Sequence, residues 1–547
     1  MSKHTPRLRT AVCLALAAPW PVTLSAQEHD HAHTGAFGRL GRVTFPTSCT
    51  REAQPRFEHA LAALHSFWWQ AGDSAFGAVL AADSTCAMAY WGLALNAWGN
   101  PFAGGPSGPD LEKGTRAAER AARLGAATAR ERGFMAAVAA LYRDAARTPN
   151  PGRLASYADT MARVYRDFPG DREVAIYYAL SLLATAPRTD TTFAVQKKAI
   201  GILDPLFARY PDHPGLAHYV IHATDSPALA RLGVSAARRY ARIAPAAPHA
   251  QHMPSHIFVR LGLWDETIAS NWSSYRAGVR FVRAAGRSNT GPEEAHALDY
   301  AVYGYLQEGR DSAARAAVAA ADEVPAEDPR PLIGLYNATA MRARIPLERG
   351  DWAAAAAFPV PESGTAPVTA ALVRFTRALG AARSGRADAA RAETRALDSL
   401  ARAIEAAPDP YWARVVRTKR DAAAAWVRFA EGDTTGGLAL AKQAADQEDV
   451  TDKHPITPGE LLPARELEGD MLLAAGRPSE ARAAYLATLG RERGRARSIF
   501  GAARAAELAG DRRASAAGYR EYLKLMEKSD GKRPELATAR AVNQAEH

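Results

Sequence analysis

Apolar residues recur every three or four positions along most of the chain, and this spacing predicts α-helices. The first clear run contains Phe57, Leu61 and Leu64 and continues into Phe67 and Trp68. Similar runs follow one another as far as residue 528, and Val, Ile and Thr rarely alternate with polar residues as they do in strands. The pattern therefore predicts an all-α fold that begins at residue 51.

A repeat of 34 residues is visible near the C-terminus. Gly476 and Gly510 lie 34 positions apart, and so do Tyr485 and Tyr519. Thirty-four residues is the period of tetratricopeptide (TPR) repeats, in which each repeat is one helical hairpin. Further turns of the form Gly, four residues, Ala begin upstream at irregular spacings, at Gly309, Gly350 and Gly385. The sequence therefore predicts a right-handed superhelical solenoid of degenerate TPR-like hairpins.

The N-terminus has the pattern of a secretory signal peptide. Lys3, Arg7 and Arg9 form a positive region, and Ala11–Ala18 is a short apolar core. This core is too short to span a bilayer, and cleavage is expected after Ala26. We therefore expect an exported protein, periplasmic or secreted, with no membrane span in the mature chain.

The chain after the signal divides into four segments by its composition. An extended, histidine-containing lead-in precedes the helices, and aromatic and histidine residues concentrate in the first of two helical regions. The segments are residues 27–50 (the lead-in), 51–290 (the N-terminal TPR-like region), 291–528 (the C-terminal TPR-like repeats) and 529–547 (a polar tail that we expect to fray).

Composition and charge limit the kinds of function that the chain can have. The chain has 547 residues, of which 48% are hydrophobic and 23% charged, so it can bury a large core. Residues 1–26 carry three of the 68 basic residues and no acidic residue, so the formal net charge of the mature chain is 65 − 58 = +7. The cations alternate with acids along helices, which is typical of a solvated face and argues against nucleic-acid binding.

Two cysteines, Cys49 and Cys86, remain once Cys13 is removed with the signal. A pair of cysteines in an exported protein predicts one disulfide, which would tie the lead-in to the first hairpin. The alternative is two separate buried thiols.

Histidines concentrate between residues 213 and 256 at helix-face spacings of three and four. Because alternate helices of a repeat stack lie side by side, we expect two such groups to converge. Imidazoles with a carboxylate suit zinc, copper or iron, and a vacant position on the metal permits hydrolysis or oxidation. The alternative is that these side chains are buried connectors that bond backbone groups at helix starts. The candidate metal ligands are His218, His222, Asp225, His249, His252 and His256.

Other candidate chemistry is weaker. His29, His31 and His33 could capture a metal, although a solvated linker has the same composition. The aromatic run Phe67–Trp69 and Trp98 are typical of core packing, with a ligand groove as the alternative. The chain contains no phosphate loop and no nucleophile elbow, so no recognised catalytic set is present.

Several segments together resemble a known family. They are Phe45–Cys49, Leu64–Phe67, Asp83–Gly92, His213–Asp225 and His249–Phe258. These segments are similar to those of exported bacterial TPR proteins distantly related to the eukaryotic tetratricopeptide repeat protein thirty-eight. One departure is Ser84, where the family tends to place proline. The resemblance implies an all-helical solenoid in a secreted or periplasmic location, and it implies no established reaction.

Two functions are consistent with these patterns. The first is a scaffold whose concave surface binds a peptide or protein partner, in which the histidines are buried and fully hydrogen-bonded. The second is a metal-binding protein or metal-dependent enzyme that uses the histidine cluster between residues 213 and 256. It predicts that His218, His222, His252 and His256 point into one cavity at ligand distances, and that His249 and Asp225 bind the metal or orient its ligands. The sequence favours the scaffold, because stacks of helical repeats rarely carry catalysis.

Overall fold

The structure is a computed structural model of the whole chain. It describes residues 38–187, 190–286, 292–323, 332–360, 364–405 and 410–545, together with Met1, Thr34, Gly35 and Glu362. The predicted signal peptide at residues 1–26 lies outside the described residues, apart from Met1. Two strands of two residues each, β1 (Thr34–Gly35) and β2 (Gly38–Arg39), pair antiparallel, with Thr34 opposite Arg39.

Helices make up the rest of the regular structure of the described residues, and each of them packs on the next along the chain. They are α1 (Ala53–His65), α2 (Trp69–Ala82), α3 (Ala87–Trp98), α4 (Gly108–Leu124), α5 (Ala129–Tyr142), α6 (Asn150–Asp167), α7 (Arg172–Ala184), α8 (Ala194–Arg209), α9 (Pro214–Thr224), α10 (Val234–Ile243), α11 (Pro248–His252), α12 (Pro254–Leu261) and α13 (Trp264–Ala284). A 3₁₀ turn at Ala230–Gly233 precedes α10.

The second half continues in the same manner. Its helices are α14 (Pro292–Gln307), α15 (Asp311–Glu323), α16 (Leu332–Glu348), α17 (Trp352–Ala356), α18 (Pro367–Arg383), α19 (Ala387–Glu405), α20 (Pro410–Ala430), α21 (Thr434–Asp449), α22 (Ala464–Ala474), α23 (Pro478–Arg491), α24 (Ala496–Leu508), α25 (Arg512–Leu525) and α26 (Pro534–Ala545). Each helix packs on the next along the chain, so the predicted all-α solenoid of TPR-like hairpins is confirmed.

The turn glycines end helices as predicted. Gly309, Gly350, Gly476 and Gly510 all have positive φ angles between 64° and 81°. This left-handed conformation lets the chain reverse direction after a helix, and glycine adopts it without a Cβ clash. The recurring Gly motif therefore marks the ends of hairpin helices.

Close packing between repeats depends on small residues beside a large ring. A Cβ added at Gly469 would lie 2.9 Å from the ring of Tyr485, and one at Gly501 would lie 2.5 Å from the same ring. Tyr485 is only 1% exposed and fills the space between α22 and α24. The 34-residue spacing of the C-terminal tyrosines thus arises because each tyrosine occupies the same packing position in its hairpin.

The segment before α1 is extended and buried rather than loose. Leu40, Val43 and Phe45 are buried, and the Phe45 ring lies 5.1 to 5.8 Å from the rings of Trp91 and Phe134. A disulfide joins Cys49 to Cys86 across 37 residues, which confirms the predicted pair. The lead-in from residue 38 onwards is therefore part of the N-terminal core.

The long connection between α21 and α22, residues 450–463, is buried against the middle of the chain. The hydroxyl of Tyr300 donates to the carbonyl of Thr457 (3.1 Å). Farther along, the indole N–H of Trp264 donates to the carbonyl of Gly494 (3.0 Å). The stack therefore curves until its C-terminal repeats contact its middle helices.

The C-terminal segment ends in a packed helix. The tail was expected to fray, but residues Pro534–Ala545 form α26, because Leu536 and Ala539 are buried against α25. The border between the two helical regions, at residues 290 and 291, stays a prediction.

Within the described residues, no helix is both long and apolar enough to cross a membrane.

Candidate metal centre

α9 carries the first pair of histidines into the interior. It begins at Pro214, where the missing N–H of proline costs nothing, and Nδ1 of His213 accepts the N–H of Leu216 (3.3 Å) as a cap. With the start of the helix fixed in this way, His218 and His222 lie one turn apart on the same face.

The second group of histidines is divided between two short helices. α11 begins at Pro248 and α12 at Pro254. Consequently His249 and His252 lie on α11, and His256 lies on α12. His249 contacts His218 on α9 and also Glu293 on α14 (3.7 Å), whereas His252 and His256 contact His296 on α14. The second group of histidines therefore lies between α9 and α14.

Site A consists of His218, His222 and His249. Nε2 of His218 lies 3.0 Å from Nε2 of His222 and 3.2 Å from Nε2 of His249. Nδ1 of His218 donates to the carbonyl oxygen of His65 (2.7 Å). A carbonyl oxygen can only accept, so neutral His218 carries its proton on Nδ1 and a lone pair on Nε2. Site A thus aims imidazole nitrogens at one point.

Site B consists of His252, His256 and His296. Nε2 of His252 lies 2.9 Å from Nε2 of His256, and all three residues offer ring nitrogens within 4.8 Å of one another. Nδ1 of His252 donates to Oδ1 of Asn271 (2.6 Å), and Nδ1 of His256 donates to Oδ2 of Asp225 (2.8 Å). Both imidazoles therefore also keep their lone pairs on Nε2. The rings of His249 and His252 are 6.2 Å apart, so the two sites are adjacent.

The tautomers in site B are fixed by the surrounding bonds. The amide nitrogen of Asn271 donates to the carbonyl of Thr267 (2.7 Å), which leaves the amide oxygen for His252. The Nε2 lone pairs of His252 and His256, which face each other at 2.9 Å, repel unless a cation lies between them. Two nitrogens at about 2.0–2.1 Å from a tetrahedral zinc ion are about 3.4 Å apart. The observed spacings are thus close to those of nitrogens that share one metal ion.

Burial favours neutral imidazoles at both sites. It lowers the pKa of His218, His222 and His252 well below the ordinary value for histidine. Burial also lowers the pKa of His296 to about 4. For His256 burial lowers the pKa, and the nearby carboxylate of Asp225 opposes part of that shift. Neutral imidazole is the form that binds metal ions.

Asp225 lies outside the ring of facing nitrogens. Besides His256, it accepts from Nε of Arg260 (2.8 Å), and Arg260 also pairs with Asp452 (2.9 Å) in the connection between α21 and α22. Burial acts to raise the pKa of Asp225, but the charges of Lys453 and Arg260 hold it well below its usual range. Asp225 therefore orients His256 and links site B to the C-terminal repeats.

A third group, His65, Glu173 and His213, has a different character. Glu173 accepts from Nε2 of His65 (3.1 Å) and from Nε2 of His213 (2.9 Å). The remaining nitrogens are paired as well, because His65 Nδ1 bonds the Tyr219 hydroxyl (3.0 Å) and His213 Nδ1 accepts the N–H of Leu216. Every donor here has an acceptor, so this group needs no metal ion. This group fixes the position of His65, whose carbonyl oxygen accepts from Nδ1 of His218 and so orients that ring in site A.

The structure corrects the arrangement that the sequence suggests. The sequence predicts that His218, His222, His252 and His256 share one cavity, with His249 and Asp225 as further ligands or as partners that orient them. In the structure the five histidines divide between two sites, and Asp225 orients His256 through its Nδ1. The division falls within α11, because its His249 meets His218 of site A while its His252 meets His256 in site B. Sequence reasoning missed His296, which follows His256 by 40 residues and has no histidine at helical spacing. It also missed the pairing of His65 with Glu173, which only the packing of α1 on α7 and α9 brings about. The candidates His29, His31 and His33 lie outside the described residues.

Aromatic rings surround site A. The ring of Phe67 lies 4.4 Å from that of His218, and the ring of Phe102 stacks on His222 at 4.3 Å. His222 and His249 are only partly buried, whereas the histidines of site B are all buried. Site A is therefore the more accessible of the two.

Comparison with known proteins gives only distant similarity. No family model and no curated protein matches the chain. Among solved structures, a chain of the complex of Naa15/Naa10 bound to HypK-THB matches with 12% identity and a TM-score of 0.23, over 90% of this chain and 74% of that one. Yeast Tom70 matches with 11% identity and a TM-score of 0.27, over 91% of this chain and 96% of that one. At these scores neither similarity carries an inference about function.

Proposed function

We propose that the protein is a metal-dependent enzyme that binds one transition metal ion at site A and another at site B. The observation that supports this most directly is the orientation of the histidines. Nδ1 of His218, His252 and His256 each donates to a fixed acceptor, so these residues keep their Nε2 lone pairs, and the Nε2 atoms of His252 and His256 face each other at 2.9 Å. This is the arrangement in which outer partners orient metal-bound imidazoles.

The number and type of ligand atoms at each site indicate whether its metal ion is structural or catalytic, and which metal it is. Structural zinc sites are closed by four protein ligands, whereas catalytic sites keep three ligands and an open position. Three imidazoles at each site leave such a position for water or a substrate. Non-haem iron oxygenases add a carboxylate to two histidines, and here Asp225 is turned to Nδ1 of His256. The donor set therefore favours zinc or copper over iron, for metal-assisted hydrolysis or oxidation.

Metal analysis of the purified protein tests this proposal. The protein is made without a histidine tag and with His29, His31 and His33 changed to Ala, so that the lead-in cannot contribute. We expect two metal ions per chain, and only one after either His218→Ala or His256→Ala, because each substitution removes a ligand from one site.

The matched control is His59→Ala, which removes a partly buried histidine outside sites A and B. This variant should keep both ions. A folded parent protein without bound metal would contradict the proposal, and so would equal metal contents in all the variants.

Binding of a peptide or protein partner is the second candidate function. A groove of 600 Å³ between α21, α22 and α23 supports it. The groove combines apolar Leu438 and Leu472 with charged Arg465 and Glu468, a mixture that suits the rim and floor of a protein interface. If the metal analysis finds no metal in folded protein, partner binding becomes the leading candidate.

We also propose that the protein acts outside the cytoplasm, in the periplasm or after secretion. The disulfide between Cys49 and Cys86 supports this location, because disulfides persist mainly in oxidising compartments.

A further inference from the structure

Two imidazoles of site A face the same lone pair, that of His218 Nε2. The proton of His218 is on Nδ1, which donates to the carbonyl oxygen of His65 (2.7 Å). Nε2 of His222 lies 3.0 Å from His218 Nε2, and Nε2 of His249 lies 3.2 Å from it. One imidazole lone pair accepts one well-aligned hydrogen bond, so at most one of these two rings donates to it. When the rings are neutral, the other ring turns its own lone pair towards His218.

A carboxylate lies at the opposite nitrogen of His249. Oε2 of Glu293, in the first turn of α14, is 3.7 Å from Nδ1 of His249. This distance is short enough for an ion pair and longer than a hydrogen bond. The Glu293 side chain is 44% exposed, and exposed side chains change rotamer readily, so a small rotation closes the gap. A carboxylate only accepts, so this bond places the proton of His249 on Nδ1 and its lone pair on Nε2.

Site B already shows the same arrangement with a closed bond. There Asp225 accepts from Nδ1 of His256 (2.8 Å), and the lone pair of His256 is on Nε2. Glu293 thus corresponds in site A to Asp225 in site B. One turn after Glu293, α14 carries His296 into site B, so this helix contacts both sites.

We propose that Glu293 is the positioning residue of site A, which accepts the Nδ1 proton of His249 and so turns the Nε2 lone pair of that ring towards His218. A metal ion then binds to both nitrogens. With its proton on Nε2 instead, His249 would donate to His218, and the two rings would form a hydrogen bond in place of a metal site. This inference rests on the proposed function, because it names the residue that prepares site A for its metal ion.

The tautomer of His249 in metal-free protein tests the proposal directly. Long-range proton–nitrogen NMR of chelator-treated protein with isotope-labelled histidine distinguishes a protonated ring nitrogen from one with a lone pair, and His249→Ala identifies the signals. We expect the proton on Nδ1 in the parent protein and in Glu293→Gln, whose amide oxygen accepts the same bond. In Glu293→Met the proton should shift towards Nε2. A proton on Nε2 of His249 in the parent protein would overturn the proposal.

The metal affinity of site A is the second readout. It is measured by Zn²⁺ titration in a His256→Ala background, which removes a ligand from site B. We expect Glu293→Met to weaken binding about 10- to 100-fold, as the loss of an outer partner of a metal ligand does, and Glu293→Gln to keep most of the affinity. A carboxylate that bound the metal ion itself would lose affinity in both variants. Equal weakening by the two substitutions would therefore overturn the positioning role.

Glu266→Met is the matched control variant. Glu266 on α13 has a similar exposure of 40% and pairs with Arg238 (3.3 Å) instead of a histidine, so neither the tautomer nor the affinity should change. The two readouts also separate this inference from the proposed function. A proton on Nδ1 of His249 in protein that takes up no metal would support the Glu293 bond and contradict the metal centre alone. Metal binding at site A that does not respond to Glu293→Met would contradict the role of Glu293 alone.

Discussion

Replacing Arg495 by Met is expected to lower the free energy of unfolding by about 4 kcal/mol, because it leaves buried carboxylates without their countercharge. Arg495 is completely buried and bonds Glu466 (2.7 Å) and Glu348 (2.9 Å), which are buried as well. Burial acts to raise the pKa of Glu466, but Arg495 and Arg497 lower it to about 2, so the carboxylate is charged in the folded protein. Urea unfolding followed by circular dichroism measures the loss.

The reason for so large an effect is the position of Arg495 between distant parts of the chain. It also donates to the hydroxyl of Tyr303 on α14 (3.0 Å), so it joins the start of α24 to α14, α16 and α22. The control is Arg477→Met, the same change in an exposed pair with Glu480, where we expect little effect on unfolding. Equal effects of the two substitutions would contradict the view that this buried network holds the C-terminal repeats against the middle.

Saturating the protein with metal is expected to raise its free energy of unfolding by about 4 kcal/mol for each of the two sites when free metal stands about 1,000-fold above the dissociation constant. The physical reason is that sites A and B exist only in the folded chain, so metal binding favours the folded state. Urea unfolding of chelator-treated protein, before and after addition of Zn²⁺ or Cu²⁺, measures the difference.

The increase in the free energy of unfolding on metal binding should require the ligands of both sites. The double variant His218→Ala/His256→Ala removes one ligand from each site, so its unfolding should hardly respond to metal or chelator. A parent protein that responds no more than this double variant would show that the histidines form no functional metal site.

Much of the fold could be predicted from the sequence because hairpin geometry imposes local constraints. Gly476 and Gly510 mark the ends of helices, since only glycine enters the left-handed conformation freely. Tyr485 and Tyr519 repeat because each fills the same space beside small residues. The tail was harder to predict, because the burial of Leu536 depends on contacts with α25 that no local pattern reveals.

The candidate site could be predicted only in part. Helical spacing identified His218 and His222 as a pair, since residues four apart share a face. The same rule failed for His249 and His252, because both lie on α11 and yet tertiary packing brings them to different sites. His296 comes from α14, and its approach to site B follows from tertiary packing alone.

The site also depends on the C-terminal repeats, which sequence spacing could not suggest. Arg260 pairs with both Asp225 and Asp452, so a residue from the connection between α21 and α22 helps to hold the carboxylate that orients His256. The curvature of the solenoid therefore completes the surroundings of site B.

Anomalous X-ray diffraction at the absorption edge of the bound metal is the most direct test of the metal centre. The measurement uses crystals of protein purified without added metal or chelator. We expect two peaks, one at site A and one at site B, each about 2.0–2.1 Å from three imidazole nitrogens. Well-ordered histidines with no anomalous peak at either site would contradict the central claim.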